Sequence, residues 1–377
     1  MANEFITVKN IARQLLPRLI ENLVFPALVY KDYSDEFVPG LGATIQVKKP
    51  VILEARDFNE TSGVSAQDVK EQSVEVTLDK LATVDVAFGA IQMATNVDDL
   101  NRLFVEPAAV ALAQKINSDG LELYKDIPYI GGTAGTSPSA LSDLTKARKL
   151  LNLQKAPVSP RYAVWDPEAE AKFLEIDTFV EADKSGTTEA LRNGSLGRIM
   201  GIENFMSQAV KKHTKGTLAA GGTGAKITVK TAVTASTSVT LDVTVTSGSG
   251  TLTGTLKKGD ILTIDNSVVC VVTADATAED NEITVSVYPA ITAAADKEVV
   301  ITANHTANLV FHPSAFAFVT RPLAAPSGVE SYVTSYNGIT LRVVKGYDMK
   351  YKKEMLSADV LYGYKTMYPE LAVRYLG

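Results

Sequence analysis

The sequence predicts an α+β protein that carries a small all-β domain as an insertion. Three observations support this fold class. Over residues 105–127 the apolar positions Ala109, Leu112, Ile116, Gly120, Leu123 and Ile127 recur every three or four residues, the rhythm of one helix face. Residues 43–48 and 73–88 instead alternate apolar and polar side chains, as half-buried strands do. From 212 to 305 the composition then changes abruptly. That stretch has no Arg, Phe, Trp or Met and a single tyrosine, Tyr288, and is dominated by threonine and valine.

The opening residues come first. Thr7 is placed to cap a helix whose apolar stripe is Ile11, Leu15, Leu19, Ile20 and Leu23, with Pro17 expected to kink or split it. Residues 1–38 therefore read as an N-terminal arm rather than a packed domain. Pro39-Gly40 and Gly42 mark a turn, and 39–90 reads as an extended β-hairpin loop. In it Ile45 and Val47 share one side, and Val74, Val76, Leu78, Val84, Val86 and Phe88 line the longer strand. Its polar tip, 57–72, is rich in turn-formers. A two-stranded ribbon buries little by itself, so it is expected to lie on something else, a neighbouring subunit included.

Residues 91–211 hold the long helix and a mixed α/β body. Pro107 suits a first helical turn and Glu106 the positive end of the dipole, while Gly120 in the stripe suggests close approach of another backbone. Ser137-Pro138 and Asp166-Pro167 each read as a cap followed by a proline at the first helical position, with a short strand at 161–165 between them. The inserted domain spans 212–306. Its runs at 226–230, 239–245, 260–264, 268–272 and 283–287 have the spacing of a small antiparallel barrel or sandwich. Residues 307–377 return to the body, with strands expected at 309–311, 340–344 and 355–364.

Composition excludes some function classes. Of 377 residues, 46% are hydrophobic and 21% charged, which suits a globular chain long enough for two or three domains. A net charge of −6 argues against a protein built to grip nucleic acid through its phosphates. No apolar run approaches the roughly 20 residues that span a bilayer, and no secretory signal is expected at the N-terminus. One cysteine, Cys270, forms no internal disulfide and sits in an apolar run, where an inert buried thiol is the expectation. His213, His305 and His312 lack zinc-site spacing and are expected to be structural or exposed. Gly221-Gly-Thr-Gly224-Ala-Lys226 lacks the phosphate-loop frame and reads as a flexible linker. No catalytic, cofactor or metal site is expected, and the chain does not read as an enzyme.

An arm, a long hairpin, one long helix and a mixed body, in that order, form a recognisable series. Together with Gly197–Met206, Gly338–Asp348, Ser357–Tyr364 and Pro369–Arg374, the series resembles the major capsid proteins of tailed bacteriophages. The inserted domain, with Leu256-Lys-Lys-Gly-Asp-Ile-Leu-Thr-Ile264, is similar to the extra barrel of one short-tailed branch. The resemblance implies the tailed-phage/herpesvirus capsid fold and a structural subunit that closes with copies of itself into an icosahedral head. Pentamers and hexamers of that subunit would surround double-stranded DNA without reading its sequence. It further implies a separate scaffolding protein, a portal protein, assembly in the bacterial host cytoplasm and no membrane partner. Some relatives cross-link through a lysine and an asparagine; Lys70 has no identifiable partner, so a noncovalent shell is expected. An encapsulin-type compartment shell is the alternative within the same fold. An adhesin-like surface protein would account only for the Thr/Val-rich domain.

Overall fold

The computed structural model describes residues 8–31, 44–49, 72–89, 105–181, 189–349 and 353–377. They fall into two compact units, one drawn from 1–18, 31–112 and 317–367, the other from 19–30, 113–316 and 368–377. Among the described residues no helix is long and apolar enough to cross a membrane.

The first unit is organised on an antiparallel sheet. Its longest strand, Lys353–Thr366, pairs on one side with Ile339–Asp348 and on the other with Lys80–Gly89, in a ten-residue register from Lys353↔Gly89 to Tyr362↔Lys80. Alternation sorts its faces: Leu356, Ala358, Val360 and Tyr362 are buried, while Met355 is exposed. Glu330–Tyr336 extends the sheet through the two-residue turn Asn337-Gly338, both residues at positive φ, the geometry a tight hairpin requires. Buried Asp359 is matched by the Arg342 fork and by the Ser357 hydroxyl. Such pairing is what lets a carboxylate sit inside a sheet.

Two expectations change in this unit. The run 73–88 is not one strand. Gln72–Thr77 pairs with Thr44–Lys49 as the hairpin, and Lys80–Gly89 leaves to join the main sheet. The apolar parity continues unbroken from Val76 through Leu78 to Ala82, so periodicity alone hides the break. The hairpin tip and Thr7 lie outside the described residues. Helix Val8–Asn22 runs past Pro17 without ending there. Its stripe, Ile11, Leu15, Leu19 and Leu23, is at most 4% exposed.

The long helix is Glu106–Leu121, and Glu122–Asp126 tightens into a 3-10 turn instead of continuing the α-helix to Ile127. In the second unit, buried Asn117 on this helix accepts hydrogen bonds from the backbone of Val24 and Phe25 and donates to the carbonyl of Asn22. One amide thereby satisfies backbone groups that two helix ends leave open.

The body of the second unit is a mixed sheet in the order Ile130–Gly132, Ala372–Leu376, His305–Phe311, Tyr162–Trp165, Ile202–Met206 and Arg198–Ile199. Helices Leu141–Leu153 and Pro167–Leu174 contribute Leu144, Ala147, Leu151 and Phe173 to a core with Trp165, Val310 and Tyr375. Trp165 meets Phe173 edge-on at 5.0 Å. The first helix starts later than Ser137 because the Asp143 carboxylate accepts from the backbone of Ser139 and Ala140, which sets the cap at Ala140.

The Thr/Val-rich insertion is a six-stranded barrel. Its order is Lys226–Val229, Val233–Thr244, Ile283–Ala293, Val268–Val272, Ile261–Ile264 and Val299–Ile301, and the ring closes where Thr228 bridges Glu298. Val229, Val239, Leu241, Leu262, Cys270 and Val285 are among the side chains that fill it. Closure leaves no long edge exposed for stray pairing. Cys270 is fully buried, and burial pushes its thiol up to about 12, so it behaves as a small apolar residue. The expected linker at Gly221–Gly224 is instead strand Ala219–Thr223, paired with Ser247–Thr253. A side chain at Gly221 would meet the Thr251 hydroxyl at 2.6 Å, so the glycines serve close strand approach rather than flexibility.

Candidate functional site

The insertion leaves and rejoins the body through one antiparallel pair: Lys212–His213 lies against the start of His305–Phe311, with His213 directly opposite His305. Two histidines that look unrelated in sequence are therefore cross-strand neighbours, their rings 5.3 Å apart. Around them the body and the barrel interlock through polar groups that are almost wholly buried.

Asp260, on the barrel turn before Ile261–Ile264, is 1% exposed. Its carboxylate accepts from His213 Nε2 at 2.8 Å, from the Lys257 backbone at 2.8 Å and from the Gly216 backbone at 3.0 Å. Burial alone would raise its pKa. These hydrogen bonds and the His213 interaction outweigh that and hold the group below the usual carboxylate range. With Nε2–H given to Asp260, His213 Nδ1 is left to accept the Tyr124 hydroxyl at 3.1 Å. Tyr124 stands on the 3-10 turn of the body, so the chain Tyr124–His213–Asp260 crosses from body to barrel.

Arg374, on the C-terminal strand, completes the latch. Its guanidinium lies over the Tyr124 ring at 4.4 Å, and Nη1 donates to the Gly259 carbonyl at 2.8 Å. Gly259 adopts φ +94, and a side chain there would run into Lys125, so this turn is fitted to the body. Nε and Nη2 of Arg374 find no acceptor among the described residues, and burial lowers the pKa of the group. His305 is 1% exposed and donates from Nδ1 to the Ala303 carbonyl at 2.6 Å, leaving Nε2 bare. Burial first, then the nearby Arg374 charge, brings its pKa down to about 4, against the opposing pull of the Ala303 carbonyl and, less, of Asp260.

A pH dependence follows. A histidine whose folded pKa lies below its unfolded value of about 6.5 gives its full stabilisation above that value. The contribution is lost as pH falls from about 6.5 towards 4. Between pH 7 and pH 5 the wild-type chain should lose on the order of 2 kcal/mol more than His305→Gln, read by urea unfolding at each pH. Parallel pH profiles for the two proteins would show that His305 is not held neutral by its surroundings.

A Tyr–His–Asp chain has catalytic overtones, yet Tyr124, His213 and Asp260 are all at most 3% exposed and all three are consumed by structural bonds. Among the described residues no group of His, Cys, Asp and Glu is placed to hold a metal. The arrangement is a buried joint. His312 stands apart from it, beside the 3-10 turn Pro313–Ala315, where its Nδ1 accepts from the Ser314 backbone.

Neither a family model nor a curated protein matches the sequence. Solved structures do. One titled Mycobacterium phage Che8 matches with a TM-score of 0.55 and 16% identity, covering 94% of this chain and 90% of that one. Weaker likenesses include the capsid structure of cyanophage P-SCSP1u, at TM-score 0.47 and 13% identity over 89% of this chain and 83% of that one. The mature capsid of bacteriophage PhiM1 gives 0.48 and 10% over 89% and 82%. The chain has the tailed-phage capsid-protein fold. The mixed helices and strands expected from the sequence are present, and the six-stranded barrel sheet fits an inserted domain.

Proposed function

We propose that this chain is the major coat subunit of a tailed-phage head, a structural protein without enzymatic activity. The observation that carries the reading is a capsid-type fold matched over 94% of its length. The first unit adds support. Leu81, Tyr347, Met349 and Met355 lie exposed on or beside its sheet, where a neighbouring copy could cover them. Copies associate as pentamers and hexamers of a closed icosahedral shell that surrounds double-stranded DNA without reading its sequence. A separate scaffolding protein and a portal complete the assembly in the bacterial host cytoplasm, and the finished protein resides in the virion capsid. Residues 212–306 delimit the inserted domain, carried between the 91–211 and 307–377 parts of the body; 1–38 and 39–90 are the arm and the hairpin loop.

Electron microscopy tests the reading. Co-expressed with its scaffolding partner, the chain should form uniform closed particles. A strictly monomeric product, with the chain folded, would overturn the coat-subunit assignment.

A further inference from the structure

On the solvent side of the buried joint the body and the barrel line a concave pocket of about 660 Å³ that is open to solvent, within the size range of small-ligand sites. Its walls carry five lysines, Lys125, Lys211, Lys212, Lys257 and Lys258, against two carboxylates, Glu122 and Asp275. The lysines come from three separate places: the 3-10 turn of the body, the strand entering the barrel, and a barrel turn. Lys125 is neutralised by Glu122 at 2.6 Å and Lys258 by Asp126 at 2.9 Å. Lys211, Lys212 and Lys257 form no ion pair among the described residues; the field of Lys212 reaches Glu168 but makes no bridge to it. Tyr124 and His213 form part of the lining, and the buried Arg374 lies against the Tyr124 ring with two donor nitrogens unanswered. In a chain of net charge −6, this is a concentrated positive field in a concave site.

We propose that this cavity binds a compact polyphosphate, either inorganic or the phosphate tail of a nucleotide. Uncompensated lysines from two segments, Lys211 and Lys212 on one side and Lys257 on the other, line one concavity and suit a small multiply charged anion. A nucleic-acid backbone is served instead by charges laid out along an open track. Because the lysines belong to both body and barrel, the bound anion spans the joint and holds the barrel to the body.

The test is isothermal titration calorimetry of the full chain with sodium tripolyphosphate, with ATP, and with a 20-base-pair DNA duplex at matched phosphate concentration, all in 0.15 M salt. Saturable binding of tripolyphosphate at one site per chain is expected, with ATP comparable or tighter. Tighter ATP binding would identify the nucleotide as the source of the phosphates. Lys211→Ala with Lys257→Ala should weaken binding at least tenfold, and Lys211→Arg with Lys257→Arg should retain it, which separates lost charge from lost folding. Absence of saturable binding, wild-type affinity in the double alanine variant, or duplex binding as tight as tripolyphosphate would each overturn the proposal.

Discussion

Asp260→Ala should cost the folded chain about 3–5 kcal/mol, the scale seen when one partner of a buried charged network is removed. Three donors converge on this carboxylate: His213 Nε2 and the backbone N–H groups of Lys257 and Gly216. Alanine leaves all three without an acceptor in a place that water does not reach, at about 1–3 kcal/mol for each buried unsatisfied group. It also takes the nearby negative charge away from buried Arg374, whose Nε and Nη2 are already unanswered. Asp260→Asn keeps the shape and one acceptor but turns an N–H towards a donor, so its cost should be smaller and still clear. Urea unfolding of the full chain, followed by far-ultraviolet circular dichroism, is the measurement. A loss below about 1 kcal/mol for alanine would mean that the joint contributes little to holding barrel and body together.

The second large effect is expected at Gly363, in the long strand Lys353–Thr366. A Cβ there would lie 2.1 Å from the Thr77 carbonyl oxygen and 3.0 Å from its carbon, and both are backbone atoms that cannot rotate away. Only glycine admits that approach. Gly363→Ala should therefore cost more than about 3 kcal/mol, or prevent folding of the first unit outright. Gly346→Ala is the matched control, because its Cβ would meet nothing nearer than Val329 at 3.8 Å; it should change stability by less than about 0.5 kcal/mol. Comparable melting temperatures for the two variants would show that Thr77 and Gly363 are less closely packed than described.

How far the sequence revealed this fold depended on whether the forces involved are local. The barrel strands were legible because Val, Ile and Thr alternate with polar residues between Gly, Asn and Asp, and each run is a half-buried strand in its own right. The long helix was legible from its stripe, but its change to a 3-10 turn at Glu122 was not. The apolar pattern runs on to Ile127 while the backbone tightens. The strand Glu330–Tyr336 was missed, although Asn337-Gly338 beside it is a strong hairpin signal. At the joint almost nothing was readable. Asp260 sits in Lys-Lys-Gly-Asp, which looks like a solvated turn, and Arg374 looks like an outward residue of a terminal strand. Both are buried because elements 115 residues apart in sequence meet there. The lysine cavity was hidden for the same reason, since no local window contains Lys125, Lys211 and Lys257 together.

The pairing of His213 with His305 has a consequence for how this chain is altered over generations or by design. Ends joined as a cross-strand pair are about 5 Å apart, so everything between them forms a cassette. Removing it asks of the host sheet no more than a short turn, and a foreign module with adjacent termini meets the same geometric demand. The chemistry is stricter. Arg374 and Tyr124 stay behind in the host, and any replacement must bring an acceptor where the Gly259 carbonyl stood and a carboxylate where Asp260 stood. The spliceable position is thus an open door whose lock remains fitted to one key, and exchanges at this seam should succeed only when host and guest are changed together.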